Sequence, residues 1–229
     1  EVSVLAFTDG KTMVPMVSAM DHKRALDGDK GLNTGGMGTI APNPFYTEAV
    51  AKECMEKIFV PTMEAMNKEG RTFKGCLFFG LMITPAGPKV IEYNCRFGDP
   101  ETQVVLPLLE SDLLTIMQAV AAEKLADVEV KFSDKAACCV IMASAGYPQS
   151  YEKGFPITLP EKDQLIFVAG AKKEDGKLLT NGGRVLGVTE IADTLPEAIA
   201  KSYEAVKTVK FDNAFYRNDI GKKALAAEV

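Results

Sequence analysis

Glu92 and Asn94 lie two residues apart at the end of an apolar, strand-like stretch. Residues at this spacing project from one face of a strand, so a carboxylate and an amide oxygen would stand side by side. Such oxygens suit Mg²⁺, which takes one or two protein ligands and completes its octahedron with water and substrate phosphates. Arg96 follows, and its guanidinium could hold a carboxylate or phosphoryl group at two points. A purely structural interpretation is also open, in which a polar strand end leads into the turn at 98–100 and Arg96 is a surface ion-pair partner.

A second candidate is the segment 21–38, which joins the basic residues 22–24 to closely spaced glycines. Glycines let backbone N–H groups approach phosphate oxygens, and Lys or Arg supplies the compensating charge. The segment matches neither the Walker A motif nor the dinucleotide-binding fingerprint. A glycine-rich loop alone is more often a plain turn, and the adjoining basic residues favour phosphate binding modestly.

Other reactive side chains give weaker signals. His22 is the single histidine, and one imidazole in a basic triplet is better explained as a polar contact than as a proton shuttle. Cys138 and Cys139 lie in an apolar strand and are expected in the core. No Ser-His-Asp or Cys-His nucleophile can be assembled from one histidine.

Strands and helices must position these groups. A strand over 2–7 and an apolar run over 13–19 form a hairpin through Asp9-Gly10, and a polar loop then extends over 21–39. A helix capped by Thr47 passes through 49–66, with a bend near Pro61 and an end at Gly70. Two strands, 76–83 and 89–93, precede a loop over 94–101, and a helix starts at Ser111 or Asp112 and reaches about Leu125.

Beyond residue 127 the pattern predicts short strands, over 136–142, 165–169 and 184–188. The last predicted helix has a capping box, Thr194 with Glu197, and reaches about Val209. The sequence therefore predicts a second, smaller domain from about Val130.

The composition narrows the function classes. The 229 residues are 47% apolar and 25% charged, as in ordinary globular proteins. With 26 basic and 31 acidic side chains, the net charge of −5 argues against nucleic acid as a partner. No apolar stretch is long enough to span a membrane. The odd number of cysteines, 5, disfavours a disulfide scaffold or zinc module and indicates a reducing, cytoplasmic compartment.

Four runs of residues, taken in order, resemble the glycinamide ribonucleotide synthetase family. They are Asp-His-Lys-Arg at 21–24, Asn-Thr-Gly-Gly-Met-Gly at 33–38, Asn-Cys-Arg-Phe-Gly-Asp-Pro-Glu-Thr-Gln at 94–103 and Asn-Gly-Gly-Arg-Val-Leu at 181–186. The similarity extends along the whole chain and corresponds to the C-terminal part of that enzyme. It implies an ATP-grasp ligase of de novo purine synthesis. ATP would phosphorylate the carboxylate of glycine, the amine of 5-phosphoribosylamine would attack the acyl phosphate, and ADP and phosphate would leave.

The resemblance also implies binding roles for particular residues. Glu1 would contact the ATP ribose, and Arg24 and Asn33 would line the region of the nucleotide phosphates. Because the chain enters a strand at its first residues without an initiator Met, we expect a fragment. The missing N-terminal part of the same enzyme would then be its partner, and the fragment would be inactive alone.

For the metal, the resemblance implies that Glu92 and Asn94 bind Mg²⁺ or Mn²⁺, with Arg96 as the catalytic residue that steadies the acyl phosphate. This agrees with the chemistry of the residues, since phosphoryl transfer requires positioning and charge neutralisation rather than a protein nucleophile. Leu32 and Tyr93 stand where many relatives have Pro and Phe, and both changes leave the charged positions intact.

The sequence thus predicts an α+β fold. Residues 1–130 would form the second half of an ATP-grasp domain, an antiparallel sheet with helices, and residues 131–229 a small C-terminal α+β domain. Two alternatives stay open: a non-catalytic nucleotide-binding module, and another ATP-grasp carboxylase or carboxylate-amine ligase. Glu92, Asn94 and Arg96 argue against the first, and the motifs at 21–24 and 96–101 argue against the second.

Overall fold

The computed structural model describes residues 1–161 and 164–227, so the last two residues of the predicted C-terminal domain lie outside it. The fold is α+β with antiparallel sheets, as predicted. The strands are β1 (Val2–Thr8), β2 (Met13–Pro15), β3 (Met20–Asp21), β4 (Arg24–Leu26), β5 (Lys30–Asn33), β6 (Gly38–Ala41), β7 (Gly75–Thr84), β8 (Gly87–Asn94), β9 (Ala136–Ser144), β10 (Leu165–Val168), β11 (Ala171–Glu174), β12 (Lys177–Thr180), β13 (Arg184–Ala192) and β14 (Ala214–Phe215). The α-helices are α1 (Glu48–Cys54), α2 (Val60–Lys68), α3 (Thr102–Val105), α4 (Leu113–Ala121), α5 (Leu195–Val206) and α6 (Lys222–Leu225).

The first sheet has the strand order β2-β1-β7-β8. Its predicted hairpin is confirmed: β1 pairs with β2 through a turn in which Gly10 has φ +87°. Asp9 Oδ1 accepts hydrogen bonds from the backbone N–H groups of Lys11 (2.9 Å) and Thr12 (2.7 Å). These bonds fix the turn, as short polar side chains commonly do.

The loop predicted over residues 21–39 is wrong in part, because this segment contains β4, β5 and the start of β6. Strands β4 and β5 form a separate hairpin in which Arg24 pairs with Asn33. Its turn includes Gly28 (φ +69°) and Asp29 (φ +53°), conformations that glycine and aspartate adopt more readily than most residues. The part of the predicted loop around Gly28 is therefore a turn between two short strands.

The predicted helix over 49–66 is present as α1 and α2, joined by a π-helical stretch, Met55–Phe59. Thr47 caps it as expected, since its side chain accepts from the backbone N–H of Val50. The π-helical stretch ends just before Pro61, which has no N–H to continue the ladder. The Thr62 hydroxyl instead donates to the carbonyl of Ile58 (2.6 Å). The second predicted helix is shorter than expected: Asp112 caps α4, which ends at Ala121.

The second sheet has the order β10-β13-β9-β6-β3, with β14 paired to β9. Strand β9 is buried along its whole length and shares both of its faces with hydrophobic clusters. Alternate residues serve the two faces: Ala137, Cys139 and Ile141 pack towards the first sheet, while Cys138, Val140 and Met142 pack towards α5. This alternation is the period of a strand, and it confirms the expectation of core cysteines.

Strands from both sides of the expected domain boundary meet in this sheet, because β3 and β6 precede residue 130 and β9 follows it. The boundary itself stays a prediction. Thr194 caps α5 by accepting from the backbone N–H of Glu197, and the helix ends at Val206 rather than Val209. Within the described part of the chain, no helix is long and apolar enough to cross a membrane.

Candidate functional site

Strand β8 brings Glu92, Asn94 and Arg96 together at one end of the first sheet. The Asn94 side-chain amide donates to Glu92 Oε1 (3.2 Å), so the two residues share a face as their spacing predicted. Arg96 follows the strand and donates to Asn94 Oδ1 (3.5 Å) and to the backbone carbonyl of Phe97 (2.9 Å). The three side chains are therefore neighbours, with the Asn94 oxygen turned towards Arg96.

Gly80, on the neighbouring strand β7, makes room for Glu92. The two residues are cross-strand partners, and a Cβ at position 80 would stand 2.9 Å from Glu92 Cγ. The register shifts between Gly80 and Leu81, where β8 has an extra residue. The bulge and the missing side chain together let the Glu92 carboxylate lie over the sheet face.

Glu1, Arg24 and Asn33 line a groove of about 700 Å³, here called the hairpin groove, together with Phe45 and Lys223. Arg24 and Asn33 are cross-strand partners in the β4–β5 hairpin and are exposed. Arg24 also donates to the carbonyl of Gly31 across the hairpin (2.9 Å). The structure thus places the three predicted nucleotide-binding residues around one open space.

Lys23 joins the hairpin groove to the Glu92 side of the site. Its ammonium lies 3.4 Å from Glu1 Oε2, and a small pocket beside it is lined by Glu1, Asp21 and Glu92. Burial opposes the charged form of Lys23, but the carboxylates of Glu1, Asp21 and Glu92 outweigh it and raise the pKa of Lys23 above its ordinary value. A permanent positive charge therefore stands between the two groups of candidate residues.

Asp21 and Glu101 form a second electrostatic feature beneath Lys23. Burial, followed by the nearby carboxyl group of Glu101, raises the pKa of Asp21 well above its usual range. Burial also raises the pKa of Glu101, although the Ser3 hydroxyl donates to Glu101 Oε1 (3.0 Å). Because both carboxyl groups resist ionisation, they add less negative charge to the site than two free carboxylates would.

Arg184, on β13, joins two of the motif loops, a role that no local sequence pattern predicts. Its guanidinium donates to the carbonyls of Gly35 (2.7 Å) and Asp99 (2.9 Å) and pairs with Asp99 Oδ2 (3.0 Å). The signal was available, because Arg184 lies in the fourth motif, but its partners are distant in sequence. Arg184 links the glycine loop to the loop that carries Arg96.

The glycines at 35 and 36 serve packing and not an open phosphate cradle. Their backbone N–H groups donate to the Tyr147 hydroxyl (3.0 Å) and the Thr34 hydroxyl (3.0 Å), respectively. A Cβ at Gly36, whose φ is +111°, would stand 2.5 Å from Asp21 Oδ1 and from Pro100 Cδ. The glycine-rich loop is thus shaped by close approach of neighbouring residues.

His22 is a structural contact, as the sequence indicated. Its ring Nδ1 lies 3.1 Å from the Gly38 carbonyl, and its Nε2 accepts from the backbone N–H of Gly221 (3.1 Å). Burial, followed by the charge of Arg217, lowers the pKa of His22 to about 4. The ring is therefore neutral near pH 7 and carries its proton on Nδ1.

The donor set fits the predicted divalent cation. Glu92 and Asn94 offer one carboxylate and one amide oxygen, which suits an ion that keeps several water or phosphate ligands. The room at Gly80 leaves the carboxylate unobstructed. Among residues 1–161 and 164–227, no group of three or more His, Cys, Asp or Glu side chains could form an all-protein cage. The residues therefore fit Mg²⁺ or Mn²⁺ held jointly with substrate phosphates.

Two family models match the chain in succession. The model of the phosphoribosylglycinamide synthetase ATP-grasp (A) domain matches residues 1–102, and the model of the C domain matches residues 137–223. The chain belongs to the phosphoribosylglycinamide synthetase family. This confirms the resemblance inferred from the four motifs, and it favours this family over the other ATP-grasp enzymes left open by the sequence.

Curated relatives of this family are closely similar. The phosphoribosylamine–glycine ligase of Halalkalibacterium halodurans is 50% identical over 229 residues, which are 99% of this chain and 53% of that protein. The chain spans about half the length of the curated single-enzyme relatives it matches. The family models indicate that this half is the C-terminal part.

Solved structures agree with the fold. The crystal structure of phosphoribosylamine–glycine ligase from Thermotoga maritima superposes with a TM-score of 0.86 at 38% identity, covering 96% of this chain and 55% of that one. The urea carboxylase of Kluyveromyces lactis has a TM-score of 0.66 at 11% identity, covering 100% of this chain and 19% of that one. The second likeness shows a shared fold and nothing further.

Proposed function

We propose that this chain is the C-terminal part of a phosphoribosylamine–glycine ligase. ATP transfers its γ-phosphoryl group to the glycine carboxylate, which releases ADP and forms glycyl phosphate. The amine of 5-phosphoribosylamine then attacks the acyl carbon, phosphate leaves, and glycinamide ribonucleotide forms. The membership of the family and the 50% identity to a ligase of that name support this reaction.

One observation carries the proposal. A single groove is lined by Glu1, Arg24 and Asn33, and the adjoining pocket, which shares Glu1 with it, reaches Glu92. A nucleoside triphosphate needs such an arrangement, with its ribose and phosphates in one channel and the metal ligands where the phosphates end. In this arrangement Glu1 accepts from the ribose hydroxyls, while Arg24 and Asn33 donate to phosphate oxygens.

Glu92 and Asn94 hold the divalent cation in this proposal. The cation, when bound, neutralises the charge of the ATP phosphates and orients the γ-phosphoryl group. For both oxygens to face one ion, the Asn94 amide turns away from Arg96, to which its oxygen accepts a hydrogen bond at 3.5 Å. That turn frees Nη2 of Arg96, while Nη1 still donates to the Phe97 carbonyl.

Arg96 is the proposed catalytic residue. Its guanidinium is exposed and beside the metal ligands, and it can bind two oxygens of the transferred phosphoryl group in a bidentate manner. Two donors fixed at that position stabilise the negative charge that shifts onto those oxygens during transfer. Lys23 carries a positive charge near Glu1 and Glu92 and partly compensates their negative charge.

The cellular setting is part of the proposal. All five cysteines are unpaired, and four of them are buried, which supports a reducing, cytoplasmic compartment. The proposed partners are ATP, glycine, 5-phosphoribosylamine and a segment homologous to the other half of the relatives.

The function is tested with the chain and with a chimera in which it replaces the matching segment of the H. halodurans ligase. Phosphate release that requires both glycine and 5-phosphoribosylamine is expected from the chimera and not from the 229-residue chain alone. A folded chimera that binds ATP without this dependence would overturn the proposed function. Activity of the chain alone would overturn the need for the other half. The matched control is the chimera carrying Arg96→Met, which is expected to fold and to lose turnover.

A further inference from the structure

The β4–β5 hairpin cannot set its own position. Within the described residues its two strands pair with each other and with no further strand. All four residues of β5 are exposed, and in β4 only Ala25 is buried. A two-stranded hairpin with so little apolar burial is marginally stable in water. Contacts from elsewhere must therefore hold Arg24 and Asn33 at the hairpin groove.

The segment 217–223, about 190 residues further along the chain, supplies these contacts. The backbone N–H of Asn218 donates to Asp27 Oδ1 (2.8 Å), and its side-chain amide donates to Asp27 Oδ2 (3.1 Å). The backbone N–H of Gly28 donates to Asp219 Oδ2 (2.7 Å). Lys223 pairs with Asp29. The turn of the hairpin, residues 27–29, is thus held by hydrogen bonds and an ion pair to the segment 217–223.

Arg217 is the centre of this network and is 1% exposed. Its guanidinium makes two bonds to Asp219, from Nε (2.8 Å) and from Nη2 (2.9 Å). The remaining nitrogen, Nη1, contacts Asp29 (3.0 Å) and the backbone carbonyl of Arg24 (3.1 Å). All three nitrogens of the fork are therefore used, and one of them bonds directly to the backbone of a proposed nucleotide-binding residue.

Such a buried cation is costly unless its partners are complete. Burial raises the pKa of Asp219, but the Arg217 guanidinium outweighs it and lowers that pKa to about 2. Asp29 likewise has its pKa lowered by Lys223 and Arg217 against the effect of burial. Only arginine presents several donors in one plane, so a lysine at this position could not make the two bonds to Asp219 together with the contacts to Asp29 and the Arg24 carbonyl. The geometry is specific to an arginine that joins two elements.

We propose that Arg217 is a positioning residue that holds the β4–β5 hairpin, and through it Arg24 and Asn33, at the hairpin groove. The consequence for nucleotide binding rests on the proposed function, whereas the positioning rests on the contacts alone. The segment 217–223 thereby makes the nucleotide end of the site depend on the C-terminal end of the chain.

The test is Arg217→Lys in the 229-residue chain, measured by amide hydrogen exchange residue by residue. Exchange at residues 24–33 is expected to rise by about tenfold or more, while β7, β8 and β9 keep their protection, as for local opening of one unit. Unchanged exchange at 24–33 in a folded variant would overturn the proposal. So would a uniform rise throughout the chain, because the arginine would then support the whole fold.

A milder variant covers the case in which Arg217→Lys does not fold. Asp27→Ala removes the two Asn218 contacts from the exposed side of the turn and is expected to raise exchange at 24–33 by about threefold. Asp134→Ala, at another exposed loop aspartate, is the matched control and leaves the hairpin unchanged. An equal effect of the two aspartate variants would overturn the proposal.

A kinetic measurement separates this inference from the proposed function. In the chimera, Arg217→Lys is expected to raise the KM for ATP about three- to tenfold, with the KM for glycine and kcat within twofold. Looser exchange at 24–33 with an unchanged KM for ATP would support the positioning and overturn the nucleotide role of Arg24 and Asn33. An equal rise in both KM values would overturn the specific role of Arg217.

Discussion

Two regions of this molecule carry candidate binding residues, and they are held in place by different means. The proposed metal end, Glu92 and Asn94, lies on β8, whose backbone is bonded along its length to β7 in a four-stranded sheet. The proposed nucleotide end, Arg24 and Asn33, lies on a hairpin that is held by side-chain and backbone groups of the segment 217–223. One region is positioned by a backbone ladder and the other by a polar network.

Because of this difference, the two regions should respond differently to amino-acid substitution. A ladder within a packed sheet tolerates the loss of a surface side chain, so substitutions at Glu92 should alter chemistry without altering the fold. A polar network of buried charges depends on every partner, because removing one leaves another unpaired. Substitutions in this network should therefore change where the hairpin lies and how its buried partners ionise, as well as removing the contact made by the substituted side chain.

The largest effect is expected at the metal end. Glu92→Gln in the chimera keeps the size and polarity of the side chain but removes the negative charge. Turnover should fall on the order of 10²-fold or more, judging by the contribution of single electrostatic contacts at other active sites. The melting temperature should change little, since the site is on the exposed face of a strand. The measurement is steady-state kinetics across a Mg²⁺ titration beside a melting curve.

Two outcomes would contradict this role for Glu92. Near-normal turnover at ordinary Mg²⁺ would remove the carboxylate from the metal site. Lost activity together with unfolding would make Glu92 a structural residue at a polar strand end. Asp134→Ala in the same chimera serves as the control for loss of an exposed carboxylate.

The second prediction concerns the pH dependence of the free energy of unfolding, as set by His22. His22 is neutral in the fold, and its pKa there is about 4, whereas the unfolded chain has the ordinary value of about 6.5. Because the folded pKa is the lower one, neutral His22 contributes to the free energy of unfolding. This contribution is fully present above pH 6.5 and is lost as the pH falls towards 4. Between pH 7 and pH 5 the loss attributable to His22 should be about 2 kcal/mol.

Urea unfolding of the chain at several pH values measures this slope. The comparison variant is His22→Gln, whose amide can donate to the Gly38 carbonyl and accept from the Gly221 N–H without titrating in this range. The free energy of unfolding should fall more steeply below pH 6.5 in the parent than in the variant. Parallel curves would show that His22 is not buried in its neutral form.

The third prediction returns to β7 and β8. Gly80→Ala places a methyl group 2.9 Å from Glu92 Cγ, so the carboxylate must shift. Turnover should fall by about tenfold through misplacement of the ligand, with a higher Mg²⁺ requirement. Stability should be nearly unchanged, because alanine is better tolerated than glycine in a strand. Asp134→Ala, at an exposed loop position, is the control, and an equal effect of both changes on the Mg²⁺ requirement would contradict the steric argument.

The arrangement of the residues at the proposed metal end could be predicted because its signals are local. A spacing of two residues on a strand places Glu92 and Asn94 on one face whatever the rest of the chain does. The helix caps at Thr47 and Thr194 are equally local, and both are present. Apolar runs bounded by turn residues likewise indicated β7, β8 and β9 within a few residues of their ends.

The nucleotide end could not be predicted in the same way. The segment 21–39 has no apolar alternation, and its short strands form through Gly28 and Asp29 at the turn and through contacts from residues about 190 positions away. In sequence, Arg184 and Arg217 resemble ordinary surface arginines, although one is a clamp and the other is 1% exposed. Long-range polar pairing leaves no periodic pattern, so only the tertiary structure reveals it.

The smallest effect is expected from Arg24 itself. Its guanidinium is exposed and donates to the Gly31 carbonyl, so in the chimera Arg24→Ala should leave the melting temperature nearly unchanged. The KM for ATP should rise about threefold to tenfold, as for loss of one phosphate contact at an exposed site. Lys30→Ala removes a positive charge from the same hairpin without removing a proposed ligand, and it should leave the KM for ATP within twofold.

If both variants raise the KM for ATP equally and salt abolishes the effect, the hairpin acts only as a diffuse positive surface. A specific loss at Arg24 that persists in salt would instead require a direct contact, and its dependence on Arg217 would then link the two ends of the chain.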